Sequence, residues 1–326
     1  MSHAQSVLVL MGGPSAEHDI SLKSGQSVVA ALMQRGWPVH GVTIPRDLSI
    51  PGAIEVVSQM LRQAHPDVVF LALHGPFGED GTMQQVCDTL QVPYTGSDPE
   101  ASRLGMDKVA SRQRFEQAHL MVPRWRVIEA AQASSVREAL GGMSLPLVIK
   151  PTNQGSSIGV TRVERREDVL PAIDEAARYD PRVLIETWVQ GRELTVGILG
   201  EDALPVVEVK PSHPFFDYAA KYAPGQTQYL VPAPLTQEQA QRVQTAGLRA
   251  HAALGCRHFS RVDLIMTSEG QPVILEVNTI PGLTAMSLLP KAAACAGLSY
   301  DELCERMVLM ALRAAQPLEP AAAHPR

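Results

Sequence analysis

Three oxygen-bearing side chains, Asp263, Glu276 and Asn278, stand in a stretch that is otherwise apolar. Residues 261–282 read R-V-D-L-I-M-T-S-E-G-Q-P-V-I-L-E-V-N-T-I-P-G. Two apolar runs, 262–266 and 272–277, flank the polar Thr267-Ser268-Glu269-Gly270, the pattern of an antiparallel hairpin. Asp263 sits early in the first strand, while Glu276 and Asn278 are two apart in the second and share a face. In a hairpin of this length all three can converge on one side. Two carboxylates and a neutral amide, without Cys or His, form a hard-oxygen set suited to Mg²⁺, which takes one or two carboxylates plus substrate phosphates. The alternative is a polar face that meets water, as on many strands. The acids interrupt strands that should be buried, and a buried carboxylate needs a cation or hydrogen bonds, which favours the metal.

Further groups along the chain carry chemistry of a compatible kind. Lys150 ends an apolar strand and precedes the small-residue loop Thr152-Asn153-Gln154-Gly155-Ser156-Ser157-Ile158-Gly159. Backbone N–H groups in such a loop can wrap phosphate oxygens, with the serines as added donors; a flexible surface hairpin is the other reading. Lys108 opens a helix after Met106-Asp107. Residues 183–186 are an apolar run ending in Glu186-Thr187-Trp188-Val189, followed by Gly191-Arg192-Glu193. A nucleotide base needs an apolar slot with a few backbone hydrogen bonds, and its ribose needs a carboxylate. Glu17, beside Ser15 and Ser21, is an acid in a loop at a strand end; helix capping with Glu17 as a first-turn acid is the plainer reading. His74 opens the glycine-rich His74-Gly75-Pro76-Phe77-Gly78-Glu79-Asp80-Gly81, where a structural and a functional histidine are equally compatible with the pattern.

Positioning these groups requires a mixed architecture. Strands at 6–11, 39–43 and 68–72 alternate with helices at 21–34 and 53–63, which predicts a parallel sheet with ligands at the strand C-termini. Thr82 is expected to cap a helix running to Leu90. Beyond Pro99 the pattern changes to helices near 107–118 and 134–140 around strands at 125–128, 147–150 and 159–163. Strands at 194–199 and 205–209 lead into a strand-poor stretch, 211–234, with Asp217, Tyr218, Lys221, Tyr222 and Tyr229. A connection of that length inside a compact unit reads as a lid. A helix at 236–254 precedes the hairpin; helices at 288–296 and 300–315 follow it.

The totals describe an ordinary globular chain: 326 residues, 45% hydrophobic, 19% charged, formal net charge −6. That length predicts more than one domain, and the acidic balance without a Lys/Arg cluster argues against nucleic acid. No apolar run is long enough to cross a membrane, and none at the start resembles a secretory leader, so a cytoplasmic location is expected. Cys87, Cys256, Cys295 and Cys304 are scattered, as for buried thiols in a reducing compartment. The tail after Gln316 reads as unstructured.

Taken together, Gly12-Gly13-Pro14-Ser15-Ala16-Glu17, the His74–Gly81 motif, Lys150 with Gly155-Ser156-Ser157, Asp217-Tyr218 with Lys221-Tyr222, Arg261-Val262-Asp263 and Glu276-Val277-Asn278-Thr279-Ile280-Pro281-Gly282 resemble the D-alanine–D-alanine ligases. These are ATP-grasp enzymes of peptidoglycan precursor synthesis. The likeness runs from about residue 7 to 312, with six motifs in register. It implies a parallel α/β unit at 1–100, a central α+β unit at 101–186 and a C-terminal α+β unit at 187–318, with 319–326 a tail. The last two units would clasp ATP. Lys108, Lys150, Ser156, Ser157 and Lys221 would meet phosphates, and Glu186, Trp188, Val189 and Glu193 would line the adenine and ribose slot. Asp263, Glu276 and Asn278 would hold two Mg²⁺ (or Mn²⁺) ions.

By the same resemblance Glu17, Ser156 and Tyr222 form a hydrogen-bonded group around the first D-alanine, with His74 in that pocket. Arg261 and the Gly282 N–H would stabilise the tetrahedral oxyanion, and Ser287 with Leu288 would bind the second D-alanine. Lys221-Tyr222 favours an amine over a hydroxyl nucleophile, hence the dipeptide over D-alanyl-D-lactate. Another carboxylate–amine pair, such as D-alanine with D-serine, is the neighbouring reading. Met286 stands where several relatives have His, and Asn153-Gln154 also departs from some members. A homodimer is implied. An NAD-linked oxidoreductase lacks its fingerprint, because the Gly12-Gly13 turn does not have the dinucleotide spacing.

Overall fold

The computed structural model describes residues 5–133, 135–155, 157–211 and 227–315. In chain order the strands and helices are β1 Val7–Gly12, α1 His18–Gln34, β2 Val39–Ile44, α2 Ile50–Ala64, β3 Val68–Leu71, α3 Thr82–Thr89, α4 Pro99–Met106, α5 Lys108–Gln117, β4 Trp125–Glu129, α6 Val136–Leu140, β5 Leu147–Pro151, β6 Thr161–Val163 and α7 Val169–Ala177. They continue with β7 Arg182–Thr187, β8 Arg192–Leu199, β9 Asp202–Ala203, β10 Val207–Pro211, β11 Thr227–Leu230, α8 Gln237–Ala253, β12 Phe259–Met266, β13 Pro272–Asn278, α9 Leu288–Cys295 and α10 Tyr300–Ala314.

The first sheet is parallel, in the order β2-β1-β3. All of β1 is buried, and its alternate residues feed two cores. Val7, Val9 and Met11 pack with Val28 and Leu32 of α1 and with Met307 and Val308 of α10. Leu8 and Leu10 pack with Val57 and Leu61 of α2. An apolar strand covered on both faces is what a parallel sheet with helices on either side demands. Helix α3 starts differently from the sequence expectation. Thr82 is its first helical residue and does not cap it; Gly81, at φ +90, takes the cap position. Asp80 supplies the acceptor instead, taking the Thr82 N–H at 3.0 Å and the Phe77 N–H at 2.8 Å.

Two antiparallel sheets follow, β4-β7-β5-β6 and β11-β10-β8-β12-β13, with β9 beside β8. In the first, Leu147, Ile149, Val183 and Ile185 turn toward α6 and α7, so Val148, Lys150 and Glu186 face the other way by strand alternation. In the second, Val262, Leu264, Met266 and Ile274 pack on Val243, Ala246 and Ala250 of α8, which leaves Arg261, Asp263 and Ile265 on the opposite face. Helix α8 is closed by a capping box between Thr236 and Gln239.

The hairpin β12–β13 carries a bulge. Asp263 pairs with Glu276 but Leu264 pairs with Ile274, so Leu275 is the extra residue. Ile274 and Glu276 would share a face in a regular strand. The bulge separates them, sending Ile274 into the core and Glu276 toward the β4-β7-β5-β6 sheet.

No helix among the described residues is long and apolar enough to cross a membrane. Cys87 and Cys304 are buried as expected, whereas Cys256 is half-buried and Cys295 is exposed at the end of α9. Burial pushes the Cys87, Cys256 and Cys304 thiols up to about 12.

Candidate active site

The faces of the two antiparallel sheets not covered by helices enclose a cavity of about 480 Å³, within the usual range for small-molecule sites. Lys108, Lys150, Ser157, Glu186, Trp188, Val189, Glu193, Arg261, Asp263, Glu276 and Leu288 all line it. Residues separated by most of the chain are therefore neighbours here, because two strand faces look at each other.

Two lysines reach the cavity, Lys150 from β5 and Lys108 from the start of α5. Lys150 Nζ donates to Glu186 Oε1 at 2.6 Å, and Arg112 Nη2 donates to Glu186 Oε2 at 2.9 Å. Burial pushes the Glu186 carboxyl up, but the Lys150 ammonium and the Arg112 guanidinium outweigh it and hold the carboxyl below its ordinary value. Lys108 Nζ donates to the Gln154 carbonyl and lies 3.9 Å from Glu276 Oε2. The loop after β5 is anchored at its base: Asp180 accepts from Thr152 Oγ1 at 2.5 Å, Asn153 Nδ2 at 2.9 Å and the Arg182 N–H at 2.9 Å. Asn153 thus pins the loop, and Gln154 offers its carbonyl to Lys108. Ser157 adopts φ +58 in this loop; its neighbour Ser156 lies outside the described residues. Trp188 has the Arg162 guanidinium 4.3 Å above its ring, and its backbone N–H donates to the Pro146 carbonyl at 3.1 Å.

Across the cavity, Asp263 is held on both oxygens. Arg261 donates from Nε to Oδ1 at 2.8 Å and from Nη2 to Oδ2 at 2.7 Å. Thr195 Oγ1 donates to Oδ1 at 2.7 Å and Asn278 Nδ2 to Oδ2 at 3.0 Å. With Glu276 opposite Asp263 in the ladder, the three hairpin side chains converge on one face. Their donor atoms are all hard oxygens, so the set fits Mg²⁺ or Mn²⁺ rather than a thiophilic metal.

The remaining candidates gather at the edge of the parallel sheet. Glu17 occupies the cap position of α1 yet makes no capping hydrogen bond with its side chain. A Cβ built on Gly75 would lie 2.7 Å from Glu17 Oε2, and one on Gly155 would lie 3.1 Å from it. The carboxylate therefore sits between the His74 motif and the loop that carries Ser156 and Ser157. His74 contacts Ser24 Oγ through Nε2 at 2.9 Å and the Ile280 carbonyl through Nδ1 at 3.1 Å. Burial lowers its pKa, but Glu79 (Oε1 3.6 Å from Nδ1) and the charge of Glu17 bring it above the ordinary value. Burial and the charge of Glu17 raise the Glu79 carboxyl in turn, against the pull of His74. The turn after β13 is docked here too, through Ile280 and through the Leu283 N–H to Ser24 Oγ at 3.3 Å. Ser287 precedes α9 with its Oγ 2.9 Å from Thr284 Oγ1, and a Cβ on Gly282 would lie 3.0 Å from that Oγ. Met286 is 72% exposed. Lys221 and Tyr222, with most of the expected lid, lie outside the described residues.

Sequence reading missed Arg112, Glu79 and Thr195. Arg112 stands four residues after Lys108 on the same face of α5, a spacing that could have flagged it. Glu79 lies beside Asp80 in the glycine-rich motif, and nothing in the sequence tells the two acids apart. Thr195 carries no signal within a strand.

Two antiparallel sheets closed over a cation-lined cavity, joined to a parallel α/β unit, define the ATP-grasp class of enzymes. Family comparison narrows this. Residues 114–309 match the family described as D-ala D-ala ligase C-terminus, and residues 51–97 match D-ala D-ala ligase N-terminus. The D-alanine–D-alanine ligase of Desulforudis audaxviator is 45% identical over 93% of this chain and 97% of that protein, and the one from Geotalea uraniireducens is 42% identical over 93% and 94%. Among solved structures, the D-alanine–D-alanine ligase of Bacillus anthracis complexed with ATP superposes with TM-score 0.83 at 30% identity, covering 96% of this chain and 99% of that one. The VanG D-Ala:D-Ser ligase of Enterococcus faecalis gives 0.80 at 29% identity, covering 94% and 99%. The chain belongs to the D-alanine–D-alanine ligase family and is an enzyme of the ligase class.

Proposed function

We propose that this chain joins two D-alanine molecules into D-alanyl-D-alanine, with ATP as phosphoryl donor, for peptidoglycan precursor synthesis. The observation that carries the reading is the convergence of Lys108, Lys150, Arg261, Asp263 and Glu276 on one inter-sheet cavity in a chain of this family. The units we assign are 1–100, 101–186 and 187–318, in a cytoplasmic homodimer.

A carboxylate does not acylate an amine unaided, because oxide is a poor leaving group. Transfer of the γ-phosphoryl of ATP to the first D-alanine carboxylate releases ADP and makes an acyl phosphate. The amine of the second D-alanine attacks its carbonyl, and phosphate leaves. Mg²⁺ ions, when bound by Asp263, Glu276 and Asn278, supply charge that offsets repulsion between the triphosphate and the carboxylate.

The chain's own residues orient the reactants. Lys108 and Lys150 neutralise phosphate oxygens, and Glu186 keeps the Lys150 ammonium in place. With its N–H committed to Pro146, Trp188 would offer the base its carbonyl, and Val189 its amide; Glu193 would take the ribose. Glu17 would bind the ammonium of the first D-alanine, with Ser156, Tyr222 and His74 around it. Arg261, aimed by its two-point contact with Asp263, and the Gly282 N–H would meet the oxyanion. Ser287 and Leu288 would hold the second D-alanine, and Lys221 would reach the transferring phosphoryl group.

The test is phosphate release with ATP and Mg²⁺ across D-alanine, D-serine, D-lactate and the L-amino acids. D-alanine alone is expected to sustain turnover. Absence of D-alanine-dependent phosphate release would overturn the reading, and equal use of D-lactate at neutral pH would overturn the role of Tyr222.

A further inference from the structure

Arg112 is fully buried, yet it belongs to none of the groups that would touch a nucleotide or an amino acid. Its guanidinium bridges two elements of the site. Nη2 donates to Glu186 Oε2 at 2.9 Å, on the far side of the carboxylate from Lys150. Nη1 donates to the carbonyl of Leu275 and lies 3.4 Å from that of Ile274. Leu275 is the extra residue of the bulge that turns Glu276 into the cavity. A bulge leaves carbonyls outside the ladder, and a buried carbonyl without a donor is costly. The guanidinium fork supplies that donor while its other arm holds a carboxylate, which an ammonium, a single point of charge, cannot do at both places. Its Nε has no hydrogen-bond partner among the described residues, so a buried donor is tolerated to keep this bridge.

We propose that Arg112 is the positioning residue of the cavity, setting the Lys150 ammonium through Glu186 and the Glu276 carboxylate through the Leu275 bulge. Helix α5 supports this placement, because Lys108 and Arg112 stand one turn apart and both span the cavity's two walls. Lys108 reaches Gln154 on one side and Glu276 on the other, as Arg112 reaches Glu186 and the bulge. The inference rests on the cavity being a nucleotide site. It assigns to one side chain the spacing between the phosphate-binding cation and the carboxylate that would hold the metal.

The two arms can be tested separately with Arg112→Met and Arg112→Lys in the full chain. Three quantities are measured: ATP affinity by calorimetry without amino acid, the half-saturating Mg²⁺ concentration for D-alanine-dependent phosphate release, and the melting temperature. R112M is expected to weaken ATP binding about tenfold to a hundredfold and to raise the Mg²⁺ requirement, the scale of losing a buried charge-assisted hydrogen bond. R112K restores a cation beside Glu186 and is expected to recover most of the ATP affinity while its Mg²⁺ requirement stays raised. Wild-type ATP affinity and Mg²⁺ requirement in folded R112K and R112M would overturn the proposal. So would losses that track the folded fraction alone. If R112M does not fold, the Mg²⁺ requirement of R112K decides. Wild-type protein that binds ATP but releases no phosphate with D-alanine defeats the assigned reaction, leaving the affinity comparison to judge Arg112.

Discussion

Replacing Glu276 by Gln separates function from stability more cleanly than any other change at the hairpin. The side chain is 30% exposed and its carboxylate lies 3.9 Å from Lys108 Nζ, so that pair contributes on the order of 0.2–1 kcal/mol to the fold. Glu276 also faces Asp263 across the ladder, and removing one of two opposed carboxylates relieves repulsion of similar size. The melting temperature of Glu276→Gln should therefore stay within a few degrees of wild type. Turnover should not. If Glu276 helps hold the charge that lets one anion attack another, several kcal/mol of transition-state stabilisation go with it, and about 4 kcal/mol is a thousandfold in rate. The assay is D-alanine-dependent phosphate release at saturating ATP over a Mg²⁺ series, with a thermal melt of the same sample. Turnover within about threefold of wild type, at an unchanged half-saturating Mg²⁺, would refute the metal assignment.

Gly75→Ala should act on the first substrate, because its Cβ would meet Glu17 Oε2 at 2.7 Å and φ is +75 there. The KM for one D-alanine should rise about tenfold, roughly 1.4 kcal/mol, with the KM for ATP unchanged; unaltered D-alanine kinetics would count against Glu17. Stability should fall in mild acid. Burial pushes His251 and His258 down to about 4, so between about pH 6.5 and pH 4 the unfolded chain binds protons that the folded chain refuses. Each depression amounts to up to roughly 3 kcal/mol, present above pH 6.5 and lost as pH falls toward 4. His74 and Glu79, with raised pKa values, favour the folded state at lower pH and work against the trend. Urea midpoints from pH 7 to 4.5 should slope downward in wild type and flatten in H251N/H258N; a flat wild-type profile would exclude the effect.

The hairpin was legible because polar residues stood out against apolar strands, and period two placed Glu276 and Asn278 together. Its bulge was not, since Leu275 is as apolar as Ile274 and only pairing with β12 reveals the extra residue. Glu17 kept two readings open in sequence, and what separates them is distant: the glycines that pack against its carboxylate are Gly75 and Gly155. Helix α5 hides its inner face. Lys108, Ser111, Arg112 and Phe115 are buried at helical spacing, but three of the four are polar, so no apolar stripe announces them. Helix α4 was overlooked for a related reason, being a short segment opened by Asp98 and Pro99 and interrupted by Gly105. The expected cap of α3 moved because Gly81 alone tolerates φ +90, while Asp80 is already turned to accept the N–H groups.

The core beneath β1 is completed by α10, whose Leu303, Met307, Val308 and Ala311 cover Val7, Val9 and Phe70. Arg35 and Trp37 clasp Glu305 at the rim of that contact, with the indole N–H donating at 3.0 Å. On the ribosome, then, β1 must wait for α10, which is made after every other element described above. Until residue 314 has cleared the exit tunnel, one side of the parallel sheet stays wet and adhesive, even after the two ATP-binding sheets have been made.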